Sequence, residues 1–241
     1  MGFPRFALIA FLLISSLTLA QTGTPSPSKS KATHPGAAQS AAQNPDPGGI
    51  TDGVYRNLSF AFGYKIPFGW VERTHEMQGD EMQGEEMQGD DSQGSESQKG
   101  ISTTSNSRVL LALFERPPDA PGKTINSAVI IAAEKTSDYP GLKTAADYFG
   151  PLAQLVATKG FQGVSGPDEF AVGAKKLARG DFAKDVPSPS KDQDNAKDKL
   201  TMQQSTLVEL DHGYIVSFTF IAGDEDEVED LIGNLSFLAH Q

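Results

Sequence analysis

The chain has 241 residues, a formal net charge of −11 and no cysteine. The absent thiols exclude disulfides, thiolate zinc sites and a cysteine nucleophile. Acidity disfavours partners that present phosphate backbones or anionic lipid surfaces, so no nucleic-acid partner is expected.

The first twenty residues (1–20) have the layout of a secretory signal peptide. Arg5 supplies the positive charge, residues 6–14 form an apolar run, and Thr18 and Ala20 offer the small residues a cleavage site needs before Gln21. That run falls short of the roughly 20 apolar residues that span a bilayer, and no later segment is long and apolar enough to replace it. Cleavage would leave a soluble chain without a membrane span. Gln21 stands where a lipoprotein has its cysteine, so no lipid anchor is expected. The implied location is periplasmic or extracellular. Residues 21–49 are rich in Pro, Ser, Ala and Gln with no hydrophobic period, the composition of a disordered linker.

Residues 50–239 read as one folded domain. Two short strands are expected within 54–66, closed by Pro67 and Gly69 before Trp70. Alternation places Phe60, Phe62 and Tyr64 on one face. With Phe68 and Trp70 they form an aromatic set that would suit either a ligand groove or a core, and core is the expectation. Residues 76–106 then interrupt the domain with a low-complexity insert. Glu76-Met77-Gln78-Gly79-Asp80 is repeated with decay. A period of five fits neither helix nor strand, and its glycines disfavour helix. A surface loop is expected, one whose deletion over 76–100 leaves the fold intact.

Strands are expected at 108–115 and 127–134, separated by the turn-rich 116–123. Ala145, Phe149, Leu152 and Val156 recur at helical spacing behind Thr144 as N-cap. Pro151 should kink or split that helix, because it lacks an amide hydrogen. The string 163–167 (GVSGP) reads as a turn. Strands are expected at 175–182 and 201–210, joined by the polar loop 184–199, with a hairpin turn at Asp211-His212-Gly213 and a strand at 214–221. On the last strand Tyr214, Val216, Phe218 and Phe220 share one face, and Ser217 and Thr219 the other. Val228, Leu231, Ile232 and Leu235 make an apolar stripe on a closing helix, entered through Asp224 with Glu227 three residues on. The sum is an α+β domain: an antiparallel sheet with helices packed on it.

Two stretches carry a family resemblance. Asn57 followed by 60–70 (FAFGYKIPFGW), and the Gly213-Tyr214 hairpin, aromatic strand and acidic helix closing in 234–237 (NLSF), resemble the opening and end of PsbP/DcrB-like domains. The resemblance implies an α/β/α sandwich around an antiparallel sheet. It also implies a mostly non-enzymatic superfamily of exported envelope proteins, oxygen-evolving-complex accessory subunits and Mog-type Ran-binding proteins. The acidic pentapeptide insert departs from that pattern.

No catalytic, cofactor-binding or metal-ligating residue is assigned. His34, His75, His212 and His240 show no ligand spacing. Carboxylates concentrate at 80–91 and 224–230, yet neither they nor Asp192 and Asp194 fit an EF-hand loop. Weak attraction of divalent cations to the acidic insert is all that is expected there. For 224–230, favourable contact with a helix dipole is sufficient reason. The string 163–166 lacks the spacing of a nucleophile elbow, and Lys175, Lys176 and Arg179 read as a solvated basic face. The leading expectation is therefore an exported, non-enzymatic binding or accessory module with a protein partner and no cofactor. The alternatives are an envelope hydrolase with dispersed polar residues and a calcium-responsive protein. A deep pocket with convergent titratable groups would favour the enzyme, and a flat or aromatic patch the module.

Overall fold

The computed structural model describes residues 45–82, 107–187 and 199–238. The signal-peptide reading, most of the linker, most of the acidic insert, His34, His240 and the pair Asp192 and Asp194 lie outside them.

The described residues form an α+β structure of two antiparallel sheets with helices. A small sheet is built from β1 (Gly49–Thr51), β2 (Val54–Asn57), β3 (Phe62–Lys65) and β11 (Leu235–Phe237), in that spatial order. The large sheet contains β4 (Val71–Glu72), β5 (Ser107–Phe114), β6 (Ala128–Lys135), β7 (Gln162–Val172), β8 (Lys175–Pro187), β9 (Lys199–Asp211) and β10 (Tyr214–Ala222). Its spatial order is β4-β5-β6-β10-β9-β8-β7. The strands are ordinary products of alternation and β-branched or aromatic content. At the β9–β10 hairpin, His212 and Gly213 have φ of 48° and 81°, the double positive φ of a type I′ turn.

The inner face of the large sheet carries the main core. Val216, Phe218 and Phe220 of β10 pack against Phe62 and Tyr64 of β3. The Phe62 and Phe218 rings meet edge to face at 5.0 Å, the geometry the ring quadrupole favours. Helix α3 (Glu225–Ile232) closes this side with Val228, Leu231 and Ile232, and the Tyr64 hydroxyl donates to the Leu231 carbonyl at 3.1 Å. Asp224 caps α3 by accepting the Glu227 amide at 2.8 Å, as the sequence predicts. The helix ends at Gly233, however, and Leu235 belongs to β11 instead of the helical stripe.

The outer face is covered differently. A 3-10 turn (Ala145–Tyr148) leads into α2 (Phe149–Thr158). Asp147 accepts the amides of Lys143 at 2.9 Å and Thr144 at 2.8 Å. The expected split occurs, and Pro151 sits in the first turn of α2, where no intrahelical donor is required. Phe149 of α2 lies directly on Gly180 of β8: a Cβ there would stand 2.5 Å from the Phe149 ring. At the opposite side of this face, α1 (Thr74–Met82) packs on β5.

Helix α1 corrects the expectation of a surface loop at the start of 76–106, over 76–82; the remainder lies outside the described residues. The first repeat is helical because its flank supplies contacts that outweigh propensity. Thr74 accepts the Ala112 amide at 3.0 Å, Gln78 donates to the Val109 carbonyl at 2.5 Å, and Met77 packs against Val109, Ala112 and Ile130. The linker boundary moves too. Arg108 and Asn57 donate to the carbonyls of Pro45 and Asp46 at 3.0 and 2.8 Å, and the Tyr55 hydroxyl to that of Pro47 at 2.7 Å, so 45–49 are docked on the domain. Finally, 163–167 is part of β7, not a free turn. As an edge strand with shifts in register on either side of Ser165, β7 can hold Gly163, Gly166 and Pro167, which an interior strand could not.

Candidate functional site

Strand alternation that sends Val216, Phe218 and Phe220 inward sends Ile215, Ser217, Thr219 and Ile221 outward. In β6 the same alternation presents Ala128, Ile130, Ala132 and Glu134 beside them. These outward residues are mostly small, and α2 covers only part of them. A groove of about 780 Å³ remains between α2, the 116–126 loop and the strands β6, β10, β9 and β8. The register sets its direction. Glu134 stands beside Ile215, Ala128 beside Ile221, and Ile221 beside Gln204, while Lys184 stands beside Met202 one row further on. Six residues of strand separate the Glu134 row from the Ala128 row, roughly 20 Å at the usual rise per residue.

One end is closed by a buried acid. Glu134, 4% exposed, accepts the Tyr148 hydroxyl at 2.7 Å on Oε1 and the Tyr139 hydroxyl on Oε2. The tyrosine rings meet edge to face at 5.3 Å. Burial pushes the Glu134 carboxyl above the usual carboxylate range, and the two hydroxyl donors only partly offset it. Burial, followed by the neighbouring carboxylate, raises both tyrosines. Both oxygens of the carboxyl are thus held in a hydrogen-bonded cap that closes this end of the groove. Along the floor, Gln204 donates to Thr206 at 3.3 Å and Thr206 shares a hydrogen bond with Thr219 at 3.3 Å. The remaining lining is chiefly aliphatic, with Ile130, Ile221, Leu155 and Met202 prominent.

The other end is cationic. Lys184 lies with Nζ 4.5 Å from the Phe161 ring centre, a cation–π distance. Burial and then the neighbouring Lys159 push its ammonium below the ordinary lysine value. Both lysines line the groove.

The residues weighed from sequence lie elsewhere. Phe60, Phe62 and Tyr64 are buried in the core, Trp70 packs partly buried against it, and Phe68 is fully exposed. The aromatic set is thus core with one exposed member. The basic trio is not a simple solvated face. Lys175 pairs at 2.6 Å with Glu209, itself 2% exposed; burial raises the Glu209 carboxyl despite that partner. Arg179 bridges Asp181 at 3.0 Å and Glu229 at 2.6 Å above the Phe170 ring, and only Lys176, paired with Glu169, is truly exposed. His75 is exposed on α1, and His212 faces Asp211 at 3.1 Å in the hairpin turn. Among the described residues no three His, Asp or Glu side chains converge as a metal would require. Sequence reasoning missed Glu134, Tyr139, Tyr148, Phe161 and Lys184. One signal was present: Glu134 ends an apolar strand on the same face as Ala128, Ile130 and Ala132, where a charge needs a partner.

No family model and no curated protein matches the chain. Among solved structures it is similar to a protein from Bacteroides thetaiotaomicron, with a TM-score of 0.30 and 11% identity over 75% of this chain and 46% of that one. The chain thus matches less than half the length of that protein. It is also similar to LpqN of Mycobacterium tuberculosis, described as involved in cell envelope biogenesis, with a TM-score of 0.30 and 12% identity over 56% of this chain and 79% of that one. No described helix is long and apolar enough to cross a membrane.

Proposed function

We propose that this chain is an exported, PsbP/DcrB-like, non-enzymatic accessory module of the cell envelope or extracellular space, and that it works by holding an apolar small molecule in the groove beside α2. One observation carries the reading: a groove of about 780 Å³ with a mainly apolar lining, Glu134 at one end, Lys159 and Lys184 at the other, and Gln204, Ser217 and Thr219 on its floor. That is the size and make-up of ordinary ligand sites. The small outward residues leave this space unfilled, where a close-packed interior would have filled it.

The test is binding of a neutral, environment-sensitive naphthylamine dye to the full chain. The dye should bind and brighten, and Thr219→Trp, which fills the middle of the groove, should abolish binding while costing no more stability than loss of the Thr206 bond, about 1 kcal/mol. Dye binding that survives Thr219→Trp and a second filling variant, Ala132→Phe, would sink the reading.

A second reading has one specific observation in its favour. Glu134 is a buried carboxyl of raised pKa at the end of a pocket, a common feature of acid catalysts. Against an envelope hydrolase stands its environment: both carboxyl oxygens are already occupied by Tyr148 and Tyr139. A hydrolytic activity in a broad substrate screen that Glu134→Gln removes would favour the enzyme over the module.

A further inference from the structure

The groove has two chemically different ends, and their difference bears on what enters it. At the Glu134 end the polar groups satisfy one another, since each carboxyl oxygen accepts one tyrosine hydroxyl. That end presents no unpaired carboxyl oxygen to a ligand. At the far end the arrangement is reversed. Lys184 and Lys159 line the same groove, both near Phe161: the Lys184 Nζ lies 4.5 Å from its ring centre, and Lys159 stands two residues before it in the chain. Neither has a carboxylate within ion-pair distance among the described residues, where the lysine ion pairs are those of Lys175, Lys176 and Lys199 alone.

Local reasons explain only part of this. Lys159 follows the C-terminus of α2, where a cation meets the negative end of the helix dipole, and Lys184 rests on Phe161. Neither reason accounts for two cations lining one largely apolar groove in a chain of net charge −11. An anionic group that reaches both ammonium groups would gain a charge-assisted hydrogen bond from each.

We propose, building on the groove reading above, that the ligand is an anionic amphiphile: its carboxylate or phosphate is held between Lys159 and Lys184, and its hydrocarbon body runs over Ile221 and Ile130 toward Glu134. The roughly 20 Å between the end rows suits a single extended chain, and Glu134, with both oxygens taken by tyrosine hydroxyls, leaves that end to the tail.

The experiment is displacement of the neutral dye from the full chain by four twelve-carbon amphiphiles: dodecanoate, dodecyl phosphate, dodecanol and dodecyltrimethylammonium. Each anion should displace the dye at about one-tenth the concentration that dodecanol needs, with the ammonium compound weakest. The preference should shrink in 1 M salt, where exposed charges are screened. Lys159→Gln with Lys184→Gln should bring both anions to the level of dodecanol and leave dodecanol unchanged. The ratio of dodecanoate to dodecyl phosphate separates a carboxylate head from a phosphate head. Equal displacement by dodecanol and the anions, or an anion preference that survives the double substitution, would overturn the proposal while leaving the groove reading intact. Failure of the dye and of every amphiphile to bind would overturn both.

Discussion

The two faces of the large sheet are written by the same strands and finished in opposite ways. On β10, the inward Val216, Phe218 and Phe220 meet a second sheet and α3, and all three are fully buried. The outward Ser217, Thr219 and Ile221 meet α2 only in part, and they line a groove. Large side chains on one side and small ones on the other convert a single alternating strand into a wall with a sealed side and a receptive side. Stability should therefore concentrate on the inner face and binding on the outer one.

That contrast breaks most sharply at neighbouring positions. Phe218→Ala removes a ring packed against Phe62 at 5.0 Å and Phe237 at 5.9 Å. It should cost about 3–5 kcal/mol in urea unfolding, and a loss below about 1 kcal/mol would dissolve the distinction between the faces. Gly180→Ala tests the seat of α2. The new Cβ would press on the Phe149 ring, so the substitution should cost about 1–3 kcal/mol and weaken dye binding as the helix shifts. Deleting 76–100 should cost about 1–2 kcal/mol, because Met77 and the Gln78 hydrogen bond leave with α1. A deletion confined to 84–100 keeps those contacts and should leave the unfolding midpoint in place. Thr219→Ala, one residue from Phe218, should cost about 1 kcal/mol or less, the worth of its bond to Thr206 at 3.3 Å.

The finest test reads a slope instead of a loss. Burial raises the carboxyls of Glu134 on the outer face and Glu209 on the inner one above the ordinary glutamate value of 4.5. Above that value the unfolded chain has released protons that the folded chain still holds. The stability they contribute is full below 4.5 and falls as pH rises through the folded values. Glu134→Gln should flatten the decline measured by urea midpoints from pH 4.5 upward; an unchanged slope would mean that Glu134 titrates normally.

Much of the inner face was legible in the sequence. Alternation in 214–221, the Asp211-His212-Gly213 turn and the Asp224 cap are local signals, and each matches what the chain does. The resemblance to PsbP/DcrB-like domains belongs with the proposal, since no family model matches. The outer face was less legible because its features depend on distant partners. Glu134 ends one strand, Tyr148 precedes a helix fourteen residues later, and Lys184 meets Phe161 across a hairpin. Strand β7 was hidden by Gly163, Gly166 and Pro167, which its edge position tolerates. Helix α1 was hidden by a five-residue period that packing on β5 overrides.

The type I′ turn at His212 and Gly213 also sets an order in time. It joins the two strands at the centre of the large sheet with the shortest loop a hairpin allows, so β9 and β10 can pair with little loop-closure entropy. Strands β6 and β5 reach the same sheet only by closing far longer loops, and contacts of that range are slow to form. The β7–β8 hairpin has an equally short loop but lies at the edge, so β9–β10, at the centre, is the natural seed of the sheet. Gly213→Ala, which strains a residue with φ of 81°, should slow refolding more than it speeds unfolding, whereas Phe62→Leu on the late-arriving small sheet should do the reverse.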